Sequence, residues 1–294
     1  MEFVNAKINI GLQIVRRRDD GYHELHTMFY PVGLYAGTAL NPQPFCDMVD
    51  GRMNYGFLKS ELRLSGRLID CELERNLAWR AIELFMKEEA TGGWKPTIWL
   101  DKHLPDGAGM GGGSADAAFT LRVLARLEKE YSGREVADER LAELALRLGA
   151  DCPFFIYNRP MYAEGIGEKL EETDLDLSGC WIAVVKPKVY ISTREAFSGV
   201  TPKEPAFDLR RLPEIPIEEW PELVHNDFED SIFPRHAELA WLKMDLYALG
   251  AAYASMTGSG SALYGIFRSR EAAESALEEI SLRPTIEATY LLKA

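Results

Sequence analysis

The sequence predicts an α+β protein built as two packed domains. Three observations carry that expectation. Strand-like and helix-like segments alternate along the chain without the regular βαβ rhythm of a doubly wound sheet. A length of 294 residues favours two hydrophobic cores over one. The texture of the chain changes after about Tyr157, which sets expected domains of 1–157 and 158–294.

The elements follow in order. Val4 to Val15 alternates imperfectly and is rich in β-branched residues, so it opens a sheet, and Arg16 to Gly21 is a charged turn. His26 to Leu34 and Leu58 to Cys71 are further strands, with Asn41 to Gly56 between them expected as loop from its Pro, Gly and Asn content. Asn76 to Ala90 reads as a helix, because Leu77, Ala81, Leu84 and Phe85 share one face. Pro96 to His103 is a strand, Ser114 to Tyr131 a long helix, and Glu139 to Leu148 a helix closed by Gly149. Trp181 to Lys186 is a short buried strand, and Pro202 to Pro221 a Pro-rich connector. The end reads strand (Ala262 to Phe267), helix (Arg270 to Ile280) and strand (Thr285 to Leu292).

Composition narrows the function classes. Hydrophobic residues at 47% and charged residues at 27% suit a soluble globular chain. Met1 to Gln13 is too short and too weakly apolar for a signal peptide, and no stretch approaches the roughly 20 apolar residues of a membrane span. A cytoplasmic protein, as a monomer or weak homodimer, is therefore the expectation. With 46 acidic against 33 basic residues, the net charge of −13 repels nucleic acid and anionic membrane, so neither is an expected partner. Cys46, Cys71, Cys152 and Cys180 contain no C-x-x-C pair and read as reduced thiols. His23, Glu24 and His26 do not form the H-E-x-x-H pattern, so no metal site is expected.

The strongest chemical signal is Leu104-Pro-Asp-Gly-Ala-Gly-Met-Gly-Gly-Gly-Ser-Ala-Asp-Ala-Ala118, with five glycines between Gly107 and Gly113. Backbone without Cβ allows successive N–H groups to converge on an anion, and a helix starting near Ser114 adds its positive end. A turn with a helix cap needs far fewer glycines. Gly107, Gly109 and Gly112 also satisfy G-x-G-x-x-G, but the second strand and acidic residue of a dinucleotide fold are missing, since Leu124 to Tyr131 is still helix. No Gly-Lys-Ser/Thr follows, and the protein-kinase H-R-D and D-F-G motifs are absent.

Taken with Asn5-Ala-Lys-Ile-Asn9 and Met256-Thr-Gly-Ser-Gly-Ser-Ala262, this loop resembles the second of the three motifs of the GHMP kinases, which phosphorylate small alcohols. The resemblance implies a two-domain fold, ribosomal S5 domain 2-like and then ferredoxin-like, with ATP as co-substrate and Mg2+ bridging its β- and γ-phosphates. Asp20-Gly-Tyr-His-Glu-Leu25 and Leu148-Gly-Ala-Asp-Cys-Pro-Phe-Phe155 resemble one branch of the family, whose acceptor is a cytidylyl compound.

The resemblance makes Asp151 the general base and Lys7 the cation that stabilises the transferring phosphoryl group. Their plain readings are a helix-end aspartate and a snorkelling strand lysine. It places Pro105, Gly107, Ala108, Gly109, Gly111, Gly112, Gly113 and Ser114 around the ATP phosphates. Asn76 lies near adenine by the same resemblance and is also a good N-cap. Tyr22 and Phe197 are expected on the two faces of the cytosine, His23 on its edge, and Asn9 and Thr193 against the acceptor. Gly258 and Gly260 are expected in a loop that closes beside Lys7. Met110 and Ala115 stand where the family commonly has Leu and Ser, and Asp116 is a candidate magnesium ligand that the helix dipole also explains. Two other readings stay open: a family member with an acceptor lacking cytosine, of mevalonate or homoserine type, and a non-enzymatic nucleotide-binding relative.

Overall fold

Segment 6–17 illustrates how the chain builds its sheets. The even positions Ile8, Ile10, Leu12 and Ile14 are apolar and buried, while Lys7, Asn9 and Gln13 at odd positions are polar and equally buried. A strand exposes alternate residues on opposite faces, so one face joins a core and the other forms a buried polar surface. That double burial explains the imperfect alternation of the sequence.

A computed structural model describes residues 1–33, 45–55, 59–67, 71–105 and 107–294. Of the segments considered above, Leu34, Asn41 to Pro44, Gly56, Leu58, the stretch 68–70 and Asp106 lie outside the described residues. The first strands are β1 (Glu2–Val4), β2 (Ala6–Arg17), β3 (His23–Val32), β4 (Asp47–Tyr55) and β5 (Glu61–Gly66). Next come α1 (Leu77–Glu88), β6 (Trp94–Lys102), α2 (Gly112–Ser132), α3 (Asp138–Leu146) and α4 (Cys152–Tyr157). Then follow β7 (Met161–Glu164), β8 (Lys169–Glu172), β9 (Trp181–Pro187), α5 (Thr193–Ser198), α6 (Trp220–Leu223) and α7 (Asp227–Ile232). The chain finishes with α8 (Ala237–Ala248), β10 (Tyr253–Met256), β11 (Leu263–Phe267), α9 (Arg270–Ser281) and β12 (Ile286–Lys293). This mixture agrees with the α+β expectation.

The chain divides into two units that interleave in sequence: 1–6, 46–106 and 111–159 in the first, and 7–45, 107–110 and 160–294 in the second. The break at Arg159 falls close to the expected boundary near Tyr157, whereas 7–45 groups with the later residues. The reason is strand pairing, since β2, β3, β7 and β8 form one sheet in that order.

In the first unit the sheet runs β1-β4-β6-β5. The expected loop Asn41 to Gly56 is corrected over its described part, because β4 pairs antiparallel with β6 from Met48↔Asp101 to Tyr55↔Trp94. Its glycine marks close packing rather than a turn: a Cβ on Gly51 would stand 2.6 Å from Ile98 and 2.9 Å from Val123. Helix α2 starts at Gly112, just before the expected Ser114, and ends at Gly133 with φ of 77°. The short α4, absent from the sequence reading, carries a proline in its first turn and is closed by Asn158 at φ of 51°.

The second unit holds the β2-β3-β7-β8 sheet and a second antiparallel sheet, β10-β11-β9-β12. Its core gathers Leu12 and Ile14 of β2, Val185 of β9, Leu242 and Leu246 of α8, and Ala276, Leu277 and Ile280 of α9.

Candidate functional site

The buried polar face of β2 is the centre of the second unit. Lys7 is 3% exposed, and its Nζ donates to Asn9 Oδ1 at 2.5 Å and to the Gly109 carbonyl at 3.1 Å. It also lies 5.0 Å from the centroid of the Phe29 ring. Asn9 is fixed in turn, donating through Nδ2 to Thr27 Oγ1 at 2.9 Å and through its backbone N–H to Thr257 Oγ1 at 3.1 Å. Tyr264 donates its hydroxyl proton to the Asn9 carbonyl at 2.8 Å, so both ends of that residue are anchored.

Three separate sequence segments therefore converge in this unit. The Lys7 N–H donates to the Met110 carbonyl at 3.0 Å, and the Ala262 N–H to the Ala108 carbonyl at 3.3 Å. Thr257 Oγ1 donates to the Gly109 carbonyl at 3.2 Å. Gly109 has φ of 74°, and a Cβ there would stand 2.0 Å from the Thr257 carbonyl oxygen, so no other residue fits. Gly258 and Gly260 lie in the same turn as Thr257, and Asn226 Nδ2 holds that turn by donating to the carbonyls of Met256 at 2.7 Å and Gly258 at 2.9 Å. Ala108 is buried in this packing, while Gly107 is exposed beside Tyr190.

Expected acceptor residues other than Asn9 lie in the second unit as well. His23 and Phe197 stack with centroids 4.7 Å apart and planes inclined by 18°. The edge of Phe228 packs on Phe197 at 4.8 Å. One face of Phe197 is thus covered by an imidazole, while Tyr22 is 60% exposed and Thr193 opens α5 on the surface. Burial, helped by the Arg17 guanidinium, holds the His23 imidazole below its usual range.

The remaining expected residues belong to the first unit. Asn76 caps α1, its Oδ1 accepting from Ala78 N–H at 2.9 Å and Trp79 N–H at 3.3 Å. Pro105 is buried; Gly111, with φ of 72°, precedes α2, and Gly112, Gly113 and Ser114 form its first turn. Backbone N–H groups of a first helical turn have no intrahelical partner, which suits an anion. Ser114 bonds to the thiol of Cys152, whose pKa burial has pushed up to about 12. Asp151 sits at the N-cap of α4, half-buried. Asp116 is 3% exposed and pairs with Lys102 at 2.8 Å.

Sequence reasoning passed over Thr257, Thr27 and Tyr264, which fix Asn9, and Asn226, which holds the turn beside them. Thr257 lies inside the third motif and was within reach; the others are ordinary polar residues whose burial only the fold creates. It also passed over His225, Asp227 and Asp230, whose ligand-type atoms lie within 4.8 Å of one another. Lys203 Nζ stands 3.2 Å from Asp227 and 3.1 Å from Asp230, so a fixed ammonium already balances these carboxylates.

Comparison with known proteins bears on this geometry. The family profile for the GHMP kinases N terminal domain matches residues 76–159, and that for the GHMP kinases C terminal matches residues 211–283. A 4-diphosphocytidyl-2-C-methyl-D-erythritol kinase of Bacteroides fragilis is 43% identical over 272 residues, covering 92% of each chain. That of Bacteroides thetaiotaomicron is 43% identical over 265 residues, covering 90% of this chain and 91% of its own. A crystal structure of 4-(cytidine 5'-diphospho)-2C-methyl-D-erythritol kinase superposes with a TM-score of 0.77 at 30% identity, covering 100% of this chain and 99% of the other.

Proposed function

The chain belongs to the GHMP kinase family, and on that premise we propose that it transfers the γ-phosphoryl group of ATP to the 2-hydroxyl of 4-diphosphocytidyl-2-C-methyl-D-erythritol. This is a step toward isoprenoid precursors by the non-mevalonate route. The observation that carries the reading is the buried ammonium of Lys7, locked by Asn9 against Gly109 of the Gly-rich loop. A cation fixed to a phosphate-type loop is the device that phosphoryl transfer asks of a protein.

In this reading ATP enters as its magnesium complex. The free N–H groups of Gly111, Gly112, Gly113 and Ser114, with the backbone of Pro105, Gly107, Ala108 and Gly109, cradle its phosphates, and Asn76 lies by the adenine. The acceptor oxygen bonds to the γ-phosphorus as the bond to the β,γ-bridging oxygen breaks and ADP leaves. Asp151 takes the proton of the hydroxyl, and the Lys7 ammonium offsets the negative charge on the oxygens in flight. Asn9, whose Oδ1 and Nδ2 are already engaged, serves by aiming Lys7.

Tyr22 offers its exposed ring to the cytosine and His23 its polar edge. Phe197 backs the imidazole, and reaches the second face of the base only if His23 swings aside. Thr193 completes the acceptor side. No helix among the described residues is long and apolar enough to cross a membrane, in keeping with a cytoplasmic enzyme.

The test is ADP release measured with a panel of acceptors. Turnover of the cytidylyl acceptor well above mevalonate and homoserine supports the reading, and preference for either of the latter overturns it.

A further inference from the structure

A cluster of three charged side chains lies in the first unit outside the residues assigned so far. Asp47, Lys102 and Asp116 are 0%, 1% and 3% exposed, among the least accessible charges in the chain. Asp47 opens β4, Lys102 ends β6, and Asp116 lies in the second turn of α2. Lys102 Nζ donates to Asp47 Oδ2 at 2.6 Å and to Asp116 Oδ2 at 2.8 Å. The second oxygen of Asp47 accepts the backbone N–H groups of His103 at 2.5 Å and Leu104 at 2.7 Å.

Those backbone groups are the chain entering the Gly-rich loop, and Asp116 is on the chain leaving it. The ammonium also lies directly beneath the exit: a Cβ on Gly112 would come within 3.2 Å of Lys102 Nζ. The three side chains therefore fasten entry to exit and fix the first turn of α2, whose free N–H groups point at the phosphates in the reading above.

We propose that Asp47, Lys102 and Asp116 are positioning residues, a buried clasp that sets the loop and the α2 N-terminus for ATP. The proposal rests on the assignment of that loop to ATP. Stability alone is a poor account of the cluster, because buried ion pairs can often be replaced by apolar residues of similar volume without loss. What apolar residues cannot supply is direction, and here three carboxylate oxygens each meet a specific donor. The fourth, Asp116 Oδ1, is buried without a hydrogen-bond partner among the described residues. Burial pushes the Asp116 carboxyl well up, Lys102 opposing and Asp47 adding to the rise.

The experiment compares wild type, Asp116→Asn and the apolar pair Lys102→Met with Asp116→Leu. The readouts are calorimetric binding of a non-hydrolysable ATP analogue, KM for each substrate, and thermal unfolding. Asp116→Asn should raise the analogue Kd and KM for ATP about tenfold while KM for the acceptor stays within about twofold. The apolar pair leaves Asp47 buried without its ammonium, so it should fold but unfold at a lower temperature than wild type, and it should keep the ATP defect. Wild-type ATP affinity in the folded apolar pair overturns the clasp, as does an equal rise in both KM values. Failure of both variants to fold also overturns it, in favour of a purely structural cluster. Absence of analogue binding by the wild type overturns the loop assignment itself, and so is distinguishable from failure of the clasp alone.

Discussion

Lys7 and Asp151 are assigned different work, and their substitutions should separate it. Lys7→Met should lower kcat by about 10²- to 10³-fold, since it removes charge stabilisation that matters most as the phosphoryl group moves. Asp151→Asn should lower kcat by about 10²- to 10⁴-fold with ATP-analogue affinity unchanged; unchanged turnover would remove Asp151 from the mechanism. His23 gives a pH signature. Its imidazole is held below the ordinary value of about 6.5, so it is neutral at pH 7 and gains a proton only at lower pH than a free histidine. KM for the cytidylyl acceptor should therefore stay flat from about pH 8 to 6.5 and rise below that, and His23→Gln should flatten the profile. A rise beginning above pH 7 in steady-state assays would contradict the role. Lys7, Tyr22, His23 and Asp151 each sit in a short contiguous motif, which is why the sequence alone puts them forward. Thr27, Tyr264 and Asn226 do not stand out, because their partners are distant in sequence and only folding pairs them with Asn9 and the Met256–Gly258 turn.

Strands and helices were legible where local pattern and tertiary environment agree. In α1 the apolar positions Ala78, Ala81, Ile82 and Phe85 are all buried, and its Asn76 cap is local chemistry. β4 was hidden because its glycine and asparagine read as loop, while its true determinants are β6 beside it and the Ile98 and Val123 side chains over Gly51. Glycines offer a test at the same level. Gly109 and Gly133 share a positive φ, 74° and 77°, but a Cβ on Gly109 meets the Thr257 carbonyl while one on Gly133 meets nothing within 4 Å. Gly133→Ala should thus lower stability by about 1–2 kcal/mol in urea unfolding and leave activity intact. Gly109→Ala adds displacement of the loop and should also raise KM for ATP. Equal kinetics for the two variants would show that the Gly109–Thr257 approach is irrelevant to function.

Across the whole molecule, the order of residues and the order of packing disagree. Residues 7–45 supply two strands of the sheet that β7 and β8 complete, and Leu12 and Ile14 to the core of α8 and α9. A fragment beginning at Pro160 would lack them, leaving β7 without β3 and opening that core to water. It should be poorly folded by circular dichroism and by amide-proton dispersion; a cooperative thermal transition in the isolated fragment would refute this account. The texture of the chain changes near Tyr157, which is what suggests a boundary there from sequence alone. The allegiance of 7–45 is not legible in that way, since β3 and β7 are far apart in sequence and no local signal announces their pairing.

That interleaving also governs how such enzymes can be recombined. A chimera that exchanges everything after residue 159 with a relative would join foreign strands to the native 7–45 and 107–110, mismatching a sheet and the turn that seats Gly109. Crossovers that carry 7–45, 107–110 and 160–294 together would preserve those pairings. The second unit is then transplanted as three pieces of chain or not at all.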